Sequence, residues 1–455
     1  MNEAQFSIKI KEYRPISDAD IDINGITVIS GDNGCGKSSI SLLAFEYFNS
    51  SINIDKLLEN KIFQLFIEPF HLLEQFIDNL KKHNPNIKVD EVKQNISTFY
   101  KVWSSNSIPI SEIKYEIYNI ISIIRDLYDN NEDTINENII LEKEIARITR
   151  LISDFLPEAL NNNSFPPVYL RSSNFHNVLD NLQKFIIFEL EEIDTFDTNY
   201  AASIITDKIK DLYNNDNPAR YIRIDEYGVP LYTYPDNKET IKVQSIKDVF
   251  YIDSPLILEA SDDTLLTKRH WKHLRDVLKK SSDNKSINEI DNLFQKNIQI
   301  QNIEHQITFE ERFNYVRSDG KVFNLSESAT GIKAFAIINL LYKKDLLTKK
   351  TLLILDEPEV HLHPKWVVEY ARLVVLLNKH LGVKFLIASH HPEFVSSIKY
   401  IAKKENIENK LNFYLARERE ENQYEFAPNG YEIDKTFESF NNAYDLIEKY
   451  GDNEV

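Results

Sequence analysis

The sequence is short of several things, and each shortage narrows what the protein does. Cys35 is the single cysteine among 455 residues. An internal disulfide and a CxxC zinc site are therefore excluded. Such sparing use of cysteine suits a reducing compartment, and a cytoplasmic protein is expected. No apolar run reaches the roughly 18 residues of a membrane-crossing helix, so neither a membrane span nor a membrane partner is expected. The opening MNEAQFSIKI lacks a basic stretch followed by an apolar one, and no secretory leader is expected there. Positive charge is in deficit: 53 Lys and Arg face 71 Asp and Glu, a net charge of −18. That balance favours solubility and repels polyanions at long range, so it gives no support to an extended nucleic-acid surface. Glycine is scarce too, with ten in the whole chain. Three of those ten nevertheless crowd into GDNGCGKSS, residues 31–39.

That stretch fits G-x-x-x-x-G-K-[ST], with Gly31, Gly36, Lys37 and Ser38 at the fixed places. The apolar run ITVIS precedes it, and SSISLLAFEYF follows with helical spacing. A strand, a glycine loop and a helix in that order form a phosphate cradle. Backbone N–H groups turn inward, a Cβ would block the approach, and the helix points its positive end at the anion. The candidate contacts are Gly31, Asn33, Gly34, Gly36, Lys37, Ser38 and Ser39. Lys37 is expected to reach the β- and γ-phosphates, and Ser38 to ligate Mg²⁺.

Three more stretches carry chemistry. TLLILDEPEVHLHP, residues 351–364, is an apolar strand ending in two acids, which is costly unless they have partners. Asp356 is expected to hold Mg²⁺, and Glu357 to orient and deprotonate an attacking water. KFLIASHHPEF, residues 384–394, sets His390 just past a second apolar strand, where an imidazole can donate to a γ-phosphate. NLSESATGIKAFAIINLLY brings Ser328, Thr330 and Gly331 to the entrance of an amphipathic helix, either as an anion site or as an ordinary cap. The histidines His361, His363, His390 and His391 also raise a metal reading. The i, i+2 spacing in HLHP sends its two rings to opposite faces of an extended chain, which disfavours it.

Around these motifs, residues 50 to about 165 read as mainly helical, as do 174–213, the latter as one long helix or a pair. Residues 219–256 turn strand-like and 264–300 helical, and QITFEERFNYVRSDGKVFNL reads as a hairpin. From 331 onward helix and strand alternate, ending in a helix at 436–449, which implies a parallel sheet. The expected organisation is an ATPase lobe in two parts, 1–50 and 306–455. Between them lie a helical insertion at 51–215 and a mixed region at 216–305. The fold expected is α/β: a P-loop ATPase head with a mostly parallel sheet, an antiparallel N-terminal portion and a large helical insertion.

Taken in order, the four stretches resemble an ABC-type ATPase of the SMC/RecF branch. GDNGCGKSS resembles its Walker A, SATGIK its signature, LLILDEP its Walker B and IASHH its switch histidine. PEVHLHP resembles the D-loop form of the overcoming-lysogenization-defect ATPases. That resemblance implies ATP and Mg²⁺ as cofactors. It also implies two ATPs sandwiched between two heads, hence at least a homodimer, with the signature of one subunit meeting the γ-phosphate held by the other. The signature lacks the usual double glycine, no Q-loop glutamine is placed (the YIDSP stretch near Asp253 is the candidate), and no zinc-hook coiled coil is present. No C-terminal Toprim nuclease is expected. Size and layout are most similar to the PtuA family of Septu anti-phage ATPases, including retron-associated forms. This implies a separate HNH nuclease partner and, in retron systems, a reverse transcriptase with its RNA–DNA product.

Other readings stay open at this point. One is a scaffold that binds ATP with little turnover. Another is a DNA-repair or SMC-like ATPase with no defence role. A transporter's nucleotide-binding subunit is disfavoured by the large insertion between Lys37 and Thr330. The basic stretch TKRHWKHLRDVLKK, residues 267–280, suits phosphate contacts with Trp271 stacking, although a solvated helix face is the commoner outcome.

Overall fold

The computed structural model describes residues 5–85, 89–104, 110–159, 174–194, 198–212, 219–236, 242–260, 268–279, 290–294, 300–306, 312–317, 319–360 and 362–429. These divide into two units, one of residues 1–54 with 202–455 and one of residues 55–201.

The first unit is built on a ten-stranded sheet. Its strands begin with β1 (Phe6–Tyr13), β2 (Ile16–Ile23) and β3 (Ile26–Ser30). They continue with β4 (Tyr221–Glu226), β5 (Val229–Tyr234) and β6 (Asp248–Ile252). Later come β10 (Thr351–Asp356), β11 (Lys384–Ala388), β12 (Leu411–Glu420) and β13 (Gln423–Pro428). The order across the sheet is β5-β4-β1-β2-β13-β12-β3-β11-β10-β6. The run β12-β3-β11-β10-β6 is parallel throughout. The β2-β1-β4-β5 end is antiparallel. The composition follows this division. ITVIS, TLLILD and KFLIA are buried along their whole length, as two-sided parallel strands must be. FSIKIKEY instead alternates, with Phe6, Ile8 and Ile10 inward.

Helix α1 (Lys37–Ile52) packs on β6, β10 and β11. Further helices of this unit are α9 (Arg269–Lys279), α10 (Thr330–Lys343), α11 (Pro364–Leu381) and α12 (Pro392–Lys404). Proline opens both α11 and α12, where its missing N–H costs nothing. Gly382, at φ 71°, closes α11 in the left-handed conformation glycine favours. A separate three-stranded sheet holds β7 (Ile300–Gln306), β8 (Arg312–Arg317) and β9 (Val322–Asn324). The expected hairpin therefore gains a third strand, β7, most of which lies between the span read as helix, 264–300, and the hairpin. Of the span read as helix, the described helical residues are those of α9 and 290–294. The expected strand LNFYLA runs on as β12 and turns back as β13, which lies parallel to β2 and joins the two halves of the sheet. The helix expected at 436–449 lies outside the described residues.

The second unit is helical: α2 (Ile54–His83), α3 (Asp90–Ser104), α4 (Ile110–Asp129), α5 (Glu132–Glu137), α6 (Ile139–Ala159), α7 (Phe175–Asp194) and the start of α8 (Thr198–Asp211). Apolar residues at helical spacing give each long helix one buried stripe, and these meet in a core that includes Phe76, Ile121, Ile148 and Leu182.

Candidate functional site

Register brings the site together. Ile29 of β3, Ala388 of β11 and Asp356 of β10 lie side by side, so the three parallel strands end level. The Ser389 N–H donates to Ile29 O at 3.1 Å and the Glu357 N–H to Ala388 O at 2.8 Å, which stitches the segments just past the strand ends. Ligands of open α/β sheets bind outside such carboxyl ends.

The glycine loop follows β3. Gly31, Gly34 and Gly36 have φ of 152°, 86° and 104°, a region that L residues rarely adopt. Gly36 stands immediately before α1, and its carbonyl accepts the first helical bonds from Ser39 N (3.0 Å) and Ile40 N (3.1 Å). Lys37 is buried, and its Nζ donates to the Gly31 and Asp32 carbonyls, both at 2.8 Å, holding the ammonium at the loop. Cys35 is fully buried, and burial pushes its thiol up from the ordinary range, against the opposing pull of Lys37. An inert thiol is the consequence. Arg14, in the turn between β1 and β2, donates to Ser39 Oγ at 3.1 Å and to Leu212 O at 2.7 Å.

Asp356 closes the other side. It is buried, and burial raises its carboxyl above the usual range, while hydrogen bonds from Tyr251 and Ser38 oppose that rise. Tyr251 Oη donates to Oδ2 at 2.7 Å. Oδ1 is buried and has no hydrogen-bond partner among the described residues. An orphaned carboxylate oxygen beside a serine hydroxyl fits Mg²⁺, which takes one or two hard protein oxygens and fills the rest of its shell with phosphate and water. Among the described residues no cluster of three His, Cys, Asp or Glu forms another metal site. His361 lies outside the described residues, and His363 caps α11 through its ring nitrogen.

Glu357 adopts φ 48°, a left-handed conformation uncommon for a non-glycine residue. Its Oε1 is 3.1 Å from His390 Nδ1. Glu359, which the sequence reading did not single out, is buried behind them. Its Oε1 accepts from Ser389 Oγ at 2.7 Å and is 3.9 Å from His390 Nδ1, while Oε2 is unpartnered among the described residues. The arrangement can hold a polyphosphate at the α1 entrance, a cation at Ser38 and Asp356, and a base with an adjacent imidazole one residue beyond.

Ser328, Thr330 and Gly331 stand elsewhere. Ser328 Oγ donates to Asn324 O at 2.8 Å, Thr330 opens α10, and Gly331 abuts Trp366. Helix α10 packs against the turn Pro255–Leu258 that follows β6. No hydrogen bond among the described residues links these three residues to the Gly31–Ser39 loop. Asp253, the Q-loop candidate, is already engaged: His270 Nε2 lies 3.0 Å from its Oδ2, and Trp271 Nε1 donates to Oδ1. Trp271 itself is buried in the core, so the less favoured reading of that basic stretch, in which it stacks on a ligand, fails. Its indole was worth more inside, where the N–H finds a carboxylate.

A family model for an AAA ATPase domain matches residues 6–395. The chain belongs to the AAA ATPase domain family. Its fold is that of an α/β P-loop ATPase, with antiparallel strands at one side of a sheet that is parallel around the loop. A search of curated proteins gives no match. Among solved structures, this ATPase-domain chain is similar to the SMC head domain from Thermotoga maritima, with 11% identity over 94% of this chain and 99% of that one and a TM-score of 0.34. It is likewise similar to the Smc head domain with an extended coiled coil bound to the C-terminal domain of ScpA from Pyrococcus furiosus. There identity is 8%, coverage 98% of both chains and the TM-score 0.32. Scores this low add nothing to the strand order already described. No helix among the described residues is long and apolar enough to cross a membrane.

Proposed function

We propose that the chain is an Mg²⁺-dependent ATPase of the ABC type, SMC/RecF branch, working as a dimer that controls a partner nuclease in a cytoplasmic anti-phage complex. One observation carries the ATPase part. Lys37, Ser38, Asp356, Glu357 and His390 converge at the level ends of three neighbouring parallel strands. In this reading the loop N–H groups and Lys37 hold the triphosphate, while Ser38 and Asp356 hold the ion. Mg²⁺ supplies charge neutralisation at the phosphates when bound. Glu357 draws a proton from the attacking water, and His390, hydrogen-bonded to it, contacts the γ-phosphate. The dimer rests on the resemblance of SATGIK to an ABC signature, in which the Ser328–Gly331 segment serves the neighbouring copy's nucleotide. The HNH partner and the defence role rest on the resemblance of motifs and layout to Septu ATPases. A reverse transcriptase with RNA–DNA belongs to the retron form of the same reading.

Glu357→Gln tests it. Hydrolysis should fall by about 10²–10⁴-fold, the range for loss of a general base, with ATP affinity retained. With ATP bound, the variant should double its mass in light scattering. Unchanged turnover would remove Glu357 from its role. Full nuclease control by a hydrolysis-dead variant would favour the scaffold reading instead.

A further inference from the structure

We infer that Tyr251 is a positioning residue for the magnesium site, fixing Asp356 so that one carboxylate oxygen is held and the other is presented to the ion. The inference rests on the reading of Ser38 and Asp356 as magnesium ligands, and it concerns a side chain on a different strand. Tyr251 sits on β6, paired in register with Ile354 of β10. Side chains two apart on a strand share a face, so the ring stands on the same side as Asp356 and diagonally behind it. From there its Oη reaches Oδ2 at 2.7 Å, while Oδ1 stays unpartnered among the described residues.

The phenol is 4% exposed, and a buried hydroxyl of that kind costs stability unless it finds an acceptor. Here the acceptor is a carboxylate, which makes the bond charge-assisted and strong. The ring is gripped from two directions. Phe45 of α1 lies 5.8 Å away between centroids, and His270 of α9 lies 4.8 Å away. His270 is in turn held by Asp253. The Tyr251 hydroxyl therefore cannot swing away, and rotation of the Asp356 carboxylate would break its bond. The same helix α1 that braces the ring also carries Lys37 and Ser38 at its entrance. A simple space-filling role does not require the hydroxyl, since phenylalanine would fill the same volume.

Tyr251→Phe keeps the ring and deletes the donor. Two quantities are measured on the full chain: Mn²⁺ affinity by electron paramagnetic resonance with saturating ADP, and ADP affinity in EDTA by calorimetry. Partners that orient metal ligands are worth about 10–100-fold in affinity, so the Mn²⁺ dissociation constant should rise by that factor while ADP binding in EDTA stays within about two-fold. An unchanged Mn²⁺ affinity would overturn the inference alone. A parallel loss of metal-free ADP binding would overturn it as well, by showing a packing defect. A parent protein that binds ADP but takes up no Mn²⁺ would overturn the magnesium reading and this inference together. A parent that takes up no ADP at all would overturn the nucleotide reading first.

Discussion

A Cβ at Gly31 would lie 2.5 Å from the Ala416 Cβ, and one at Gly36 would lie 2.7 Å from Ile16 Cγ1, whereas one at Gly34 meets nothing within 4 Å. The phosphate argument read from the sequence thus suits Gly34, whose open side leaves room for a ligand. Close packing against β12 and β2 supplies a further reason for the other two, and no local pattern announces it. Glu359 was equally hidden, because an acid three residues past a strand end reads as solvated until the fold buries it. Burial raises its carboxyl above the ordinary 4.5, with the Ser389 hydrogen bond and the His390 charge opposing. An acid whose folded value is raised contributes its stability below the unfolded value and loses it as pH climbs through the folded one. Glutamine has no such proton to lose. Urea unfolding at about pH 5 and about pH 8 should therefore show the Glu359→Gln variant gaining on the parent as pH rises. A gap that stays constant or moves the other way would mean that the carboxyl is not held in its protonated form.

At the scale of elements, the site depends on three strands that each read clearly and on packing that did not. ITVIS, TLLILD and KFLIA announce themselves as buried strands, and the helical period after Gly36 announces α1. The approach of α10 to α11 is a different matter. Gly331 reads as part of an anion site, yet a Cβ there would stand 2.6 Å from two ring carbons of Trp366. Its absence lets the start of α10 lie against that indole. Gly331→Ala should therefore destabilise the protein by about 1–3 kcal/mol, the usual cost of overpacking. Tryptophan fluorescence during urea unfolding measures this directly. A variant as stable as the parent would show that the helices separate freely at that point.

On the scale of the whole molecule, the two units carry separate cores. The helical one draws its buried residues, from Phe70 to Leu190, entirely from residues 55–201. The sheet unit has its own large cluster, which reaches from Ile26 to Phe413. Scanning calorimetry should accordingly resolve two transitions. Ile121 is fully buried in the helical core, so Ile121→Ala should weaken that unit by about 2–5 kcal/mol, lower one transition and leave the other in place. One transition moving as a whole would contradict independent cores.

The sequence by itself determined what short-range sterics and periodicity control: a glycine loop between strand and helix, apolar strands ending in acids, and a helical stretch with its own apolar stripes. Tertiary structure alone decided which strands lie side by side. Only with β3 between β12 and β11, and β10 beyond, do Lys37, Asp356 and His390 share one edge. The same placement put Tyr251 on Asp356, Ser389 on Glu359, and Trp271 in the core instead of on a ligand. These pairings join residues up to 105 positions apart. They follow from how the whole sheet buries its apolar surface, a quantity that no local window of residues contains.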